Sequence, residues 1–155
     1  MKIRQCMTRD PEVAAANDSA REILRRMRTQ RIRHLPVVEA SGVLVGMISE
    51  RDLLPLETPL GAPRQQGRPF DDVGAASFDD PCVRDLMTTE VKTVESEDTL
   101  HVAVRLFIEH RFGALPVIAP GDAQTLVGIL SPIDVLQAWH DLSTRALRRK
   151  PDKLE

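Results

Sequence analysis

The sequence predicts an α+β protein made of two copies of one β-α-β-β-α unit, and three observations carry that prediction. First, the chain repeats itself. Met7-Thr8 recurs as Met87-Thr88, Asp18-Ser19 as Asp98-Thr99, and Leu35-Pro36-Val37-Val38 as Leu115-Pro116-Val117-Ile118, each pair 80 residues apart. Second, stretches of helical periodicity alternate with short apolar runs of strand length in both copies. Third, each copy closes on the same pattern, GMISERD at residues 46–52 and GILSPID at residues 128–134. A duplicated unit of this kind sets the architecture before any single element is assigned.

In the first copy, residues 13–16 read as extended, and Ser19 with Glu22 forms a capping box that starts a helix. Ala20, Ile23, Leu24 and Met27 follow at i, i+3, i+4 and i+7, one apolar stripe, while Arg21, Arg25 and Arg28 face water. Residues 35–39 and 43–48 read as strands of a hairpin turning through Ala40-Ser41-Gly42. The closing helix starts at Ser49, and Pro55 cuts it short. The second copy repeats the order. Thr93-Val94 is extended, a helix from Asp98 turns Leu100, Ala103, Val104 and Phe107 inward, and strands follow at 115–119 and 126–130. Its closing helix runs from Ser131 through Trp139, read as a packing anchor, to about residue 147.

These elements divide the chain into a first repeat at residues 1–54, a Pro/Gly-rich linker at 55–82, a second repeat with an extended C-terminal helix at 83–147, and a basic tail at 148–155. The linker holds Pro55, Pro59, Pro63, Pro69 and Pro81 with Gly61, Gly67 and Gly74, a composition for loop rather than core. A unit of about 50 residues has too little core to stand alone, so the two copies must share theirs.

With 155 residues and a formal net charge of −2, the chain lacks the basic surface that nucleic acid as a partner requires. It has no apolar run long enough to cross a bilayer and no secretory hydrophobic region, so a cytoplasmic protein without a membrane partner is expected. Cys6 and Cys82 lack metal-site spacing and are expected as free thiols. No nucleophile–base motif or phosphate loop is present, so the reading is not an enzyme. With no Tyr, one Trp and four Phe, the core must be built from Leu, Val, Ile, Ala and Met, and an adenine ring, if bound, would lie between aliphatic side chains rather than on an aromatic platform.

The closing pattern carries the chemistry. Its Ser stands at a helix N-cap, where free N–H groups and the positive end of the helix dipole suit a phosphate, and an Asp three residues on can accept ribose hydroxyl protons. The same Ser-x-x-Asp serves equally as a capping box, contributing about 1 kcal/mol with no ligand, and Pro132 at the first helical position fits that account.

Two complete copies, each with an LPV strand and a closing Gly-x-x-Ser-x-x-Asp, resemble the tandem cystathionine β-synthase (CBS) domain pair over residues 3–54 and 83–138. The resemblance implies two repeats packed about a pseudo-twofold axis, with two clefts that bind an adenosine-containing small molecule (AMP, ADP, ATP or S-adenosylmethionine) as a regulatory ligand and no required cofactor. Asp134 would hold the ribose and Ser131 a phosphate in one cleft, with Asp52 and Ser49 doing so in the other. The adenine would lie near Val13-Ala14 and Thr93-Val94. In the regulatory γ subunit of AMP-activated kinase a basic pair before the LPV-type strand contacts phosphates across the repeats, and Arg33-His34 occupies that place here. Gly113-Ala114 replaces the pair in the second repeat, with His110 and Arg111 one turn earlier, so unequal clefts are expected, the Asp134 cleft binding nucleotide more tightly. The resulting expectation is a homodimeric adenine-nucleotide sensor that signals to an effector protein. The alternative is a ligand-independent dimerisation or interaction scaffold.

Overall fold

The computed structural model describes residues 1–57, 80–122 and 124–148. Most of the linker, residues 58–79, and the tail from residue 149 lie outside the described residues.

Helix α1 (Ala20–Gln30) begins where Ser19 Oγ accepts the Glu22 N–H at 3.1 Å and ends at Arg31, which takes the left-handed conformation at φ 57°. Its stripe of Ala20, Ile23, Leu24 and Met27 is buried. The stripe covers one face of a three-stranded sheet in the order β2 (Ala14–Ala15), β3 (His34–Val38) and β4 (Leu44–Ser49), with β2 parallel and β4 antiparallel to β3. The closing helix α2 (Glu50–Leu53) is one turn long and passes into a 3-10 turn at Leu54–Glu57 that contains Pro55. Proline removes a donor and ends the α geometry there.

The second copy contains α3 (Val83–Leu86), β5 (Val94–Glu95), α4 (Leu100–His110), β6 (Leu115–Ile118), β7 (Leu126–Leu130) and the 17-residue α5 (Pro132–Arg148). Its sheet runs β1-β7-β6-β5, where β1 is Thr8–Arg9 from the start of the chain. Two expectations are corrected here. Val104 is not among the α4 residues packed on the core; Leu100, Val102, Ala103, Leu106 and Phe107 are. The helix carries apolar residues around most of its circumference, so its sequence does not single out one stripe. Trp139 does not anchor packing within the chain, since it is 67% exposed.

The lead-in segment of each repeat packs on the other repeat. Ile3, fully buried, belongs to the core of Val94, Leu115, Val117 and Leu130, with Met7 packed against it. Val83 belongs to the core of Ile23, Met27, Leu35 and Ile48, with Leu86 and Met87 beside it. Backbone bonds match this exchange: Thr8 stands opposite Ile129 in β7, and Thr88 and Met47 exchange N–H···O bonds of 2.9 Å in both directions. The glycine of each closing pattern makes the crossing possible. A β-carbon on Gly128 would lie 2.8 Å from the Thr8 carbonyl, and one on Gly46 2.9 Å from the Thr88 carbonyl. The two hairpins also meet, Leu44 N–H donating to the Gln124 carbonyl at 2.8 Å. These reciprocal contacts relate the repeats by a pseudo-twofold axis and leave a cleft on either side.

Candidate ligand-binding site

Both closing patterns form the expected helix start. Asp52 Oδ2 accepts from Ser49 N at 2.8 Å and Ser49 Oγ at 2.6 Å. Asp134 Oδ2 accepts from Ser131 N and Ser131 Oγ, both at 2.7 Å. One carboxylate oxygen of each Asp is thereby fixed. The Oδ1 atoms accept from no described residue and remain open to a hydroxyl donor.

One cavity of about 680 Å³ lies beside Asp134. It is lined by Ser131, Asp134 and Ile129 of the second repeat and by Arg33 and His34, at the entry to β3, of the first. Because β1 pairs with β7, Thr8, Asp10, Pro11 and Glu12 also line it. A second cavity of about 310 Å³ holds Ser49 and Asp52. Arg111, Phe112, Gly113 and Ala114 of the second repeat line it with them, as do Thr88, Glu90, Val91 and Lys92. Both volumes fall in the range of about 300–1,000 Å³ usual for small-molecule sites.

Six of the ten residues singled out in the sequence are therefore brought together: Ser131, Asp134, Arg33 and His34 in the larger cavity, Ser49 and Asp52 in the smaller, with His34 lining both. Val13, Ala14, Thr93 and Val94 line neither cavity. Ala14 and Val94 are core residues, and the Val13 carbonyl accepts from Arg26 at 2.9 Å. The residues that do line the cavities from these segments lie a few positions earlier. Thr8, Asp10, Pro11 and Glu12, like Thr88, Glu90 and Lys92, were missed because nothing within one copy indicates that its lead-in crosses to the other. The repeated Met-Thr and the small residue of each closing pattern are the signals that point to the crossing.

Electrostatics distinguish the cavities. The Arg33 guanidinium leans on Glu50, Nε to Oε2 at 3.8 Å, and is mostly exposed. Burial pushes the His34 imidazole below its ordinary value; Asp52 opposes this, and Arg33 and Arg51 add to it. His34 is therefore a neutral donor and acceptor at neutral pH. The Cys6 thiol is pushed up by burial and then by the Asp134 carboxylate, against the N-terminal ammonium. Among the described residues no cluster of His, Cys, Asp and Glu could hold a metal ion, and no helix is long and apolar enough to cross a membrane.

The family model of the CBS domain matches the chain twice, at residues 3–56 and 83–141. An uncharacterized 33.4 kDa protein in a ribosomal RNA operon of Thermofilum pendens is 32% identical over an alignment of 145 residues that covers 88% of this chain and 45% of that one. The chloroplastic CBS domain-containing protein CBSX2 of Arabidopsis thaliana is 30% identical over 139 residues, covering 81% of this chain and 57% of its own length. The chain thus spans about half the length of these relatives. A crystal structure of CBSX2 in complex with AMP superposes with a TM-score of 0.72 at 25% identity, covering 92% of this chain and 98% of that one.

Proposed function

This chain belongs to the CBS-domain family and carries two copies of the domain; from that premise we propose that it is a regulatory module whose clefts bind an adenosine compound. The observation that carries the reading is the larger cavity, where Asp134 and Ser131 of one repeat face Arg33 and His34 of the other. Asp134 Oδ1 accepts a ribose hydroxyl proton, the Ser131 turn at the head of the 17-residue α5 receives a phosphate oxygen, and Arg33 and His34 meet the same ligand across the repeat boundary. Asp52 and Ser49 perform the same roles in the smaller cavity. Because each ligand touches both repeats, binding changes the free energy of their relative packing, and this is the quantity an effector protein reads. The chain acts by binding rather than catalysis, in the cytoplasm, without nucleic acid. The complex of CBSX2 with AMP supports the ligand class.

The protein is a homodimer in the same reading. Ile133, Leu136 and Trp139 of α5, with Ile108 of α4, are between 59% and 72% exposed, an apolar surface that a twofold contact would cover.

Thermal unfolding with AMP, ADP, ATP and S-adenosylmethionine tests the binding reading. A ligand at 100 times its dissociation constant stabilises the native state by about 2.7 kcal/mol, so the melting temperature rises with at least one of them. The scaffold reading draws on the capping hydrogen bonds, which satisfy Ser49 and Ser131 without a ligand; unchanged melting at millimolar concentrations of all four would favour it.

A further inference from the structure

The two cavities carry opposite charge balances. In the larger, Asp10, Glu12 and Asp134 face Arg31 and Arg33, and Arg33 already leans on Glu50 at 3.8 Å. Glu12 is itself paired with Arg26 at 2.9 Å, which leaves Asp10 and Asp134 against Arg31. In the smaller, Arg51, Lys92 and Arg111 face Asp52 and Glu90. None of these three cations forms an ion pair with a described residue. They come from separate segments of both repeats: Arg51 from α2, Lys92 from the lead-in to β5, and Arg111 from the left-handed cap of α4 at φ 56°. Asp52 has one oxygen held by Ser49 N and Oγ, and its remaining oxygen is free for a ribose.

We propose that the Asp52 cavity is the site for an adenosine polyphosphate, its phosphate chain held by Arg51, Lys92 and Arg111, and that the Asp134 cavity takes an adenosine carrying one phosphate or none. This rests on the adenosine reading above and ranks the clefts for charged ligands opposite to the Arg33-His34 pair seen in the sequence. A single phosphate monoester carries about −1.5 to −2 at pH 7, and each further phosphate adds to that charge. A polyphosphate in the Asp134 cavity would sit beside Asp10 and Asp134 with its principal clamp already engaged by Glu50. In the Asp52 cavity it meets three cations without an ion-pair partner among the described residues, so no ion pair between described residues has to break first. A neutral or cationic adenosine gains nothing from those cations and suits the more acidic, larger cavity.

Calorimetric titration of the full chain with ATP and with adenosine tests the assignment. Lys92→Ala/Arg111→Ala should weaken ATP by at least about tenfold, the change expected from losing hydrogen bonds to charged groups, and leave adenosine unchanged. Arg33→Ala should change ATP far less than the double substitution. All of these side chains are exposed, and melting of each variant without ligand verifies its fold. If Arg33→Ala costs ATP more than the double substitution, or if the double substitution weakens adenosine and ATP equally, the charge assignment is wrong while the adenosine reading stands. If the unmodified chain binds neither ATP nor adenosine at millimolar concentration, both fall.

Discussion

The imidazole of His34 occupies the space that a β-carbon on Gly113 would fill, its Cε1 and Nε2 lying against that position. The 80-residue offset makes Gly113 the counterpart of Arg33 and Ala114 the counterpart of His34. Where the first repeat carries Arg33 and an imidazole, the second carries only a glycine and an alanine. His34 consequently lines both cavities, and the two clefts cannot be alike.

Gly113→Ala tests this contact. The new methyl meets the end of a flexible side chain rather than backbone, so His34 turns aside. Unfolding free energy measured with urea should stay within about 0.5 kcal/mol of the unmodified protein, while nucleotide affinity changes. A large loss of stability with unaltered binding would mean that His34 does not partition the cavities.

Gly128→Ala behaves differently, because its β-carbon would stand 2.8 Å from both the Thr8 carbonyl and the Met7 Sδ. Backbone cannot swing away. Overpacking of this kind costs about 1–3 kcal/mol, and the same urea measurement should record a fall in that range. A neutral outcome would imply that β1 does not pair with β7.

The fold was legible to the extent that its signals are local. The stripe of α1 is apolar on one side and arginine-rich on the other, so periodicity fixes its buried face. The LPV strands, the Gly42 turn and the Ser-x-x-Asp helix starts follow from neighbouring residues alone. The exchange of lead-ins is not local: Ile3 is buried by residues more than 90 positions away, including Val94 and Leu115. The same limit hid half of each cleft. Ser131, Asp134, Ser49 and Asp52 stand in a motif, and Arg33 and His34 adjoin one. Arg51 fills a variable position of the closing pattern, Lys92 and Arg111 belong to no motif, and the three converge only when both repeats are folded together. The exposure of Trp139 could not be read from its place on an amphipathic helix, because a face turned to a partner and a face turned to the core have the same periodicity.

The titration of His34 links its burial to stability. A base whose folded value is lowered stabilises the native state while neutral. That contribution is complete above the unfolded value of 6.5 and is lost as pH falls through the lower folded value. The unfolding free energy of the unmodified chain should therefore fall more steeply below pH 6.5 than that of His34→Gln, which cannot take up a proton. Parallel curves for the two proteins would mean that Asp52 offsets the effect of burial, Arg33 and Arg51.

The apolar surface of Ile108, Ile133, Leu136 and Trp139 predicts an oligomer that one charge can disrupt. Trp139→Glu should convert a dimer into a monomer by light scattering at tens of micromolar, with little change in folding, because Trp139 is 67% exposed within the single chain. A monomeric mass for the unmodified protein would end the dimer proposal.

The most direct test of ligand binding is calorimetry with AMP on the unmodified chain and on Asp134→Asn and Asp52→Asn. The amide oxygen of Asn can still accept the Ser N–H, so the helix start survives, while the carboxylate offered to the ribose is gone. The account predicts saturable binding of AMP to the unmodified chain and a loss of at least about tenfold in one binding event for each substitution. Binding of AMP that both substitutions leave untouched, or no binding at millimolar concentration, would contradict it.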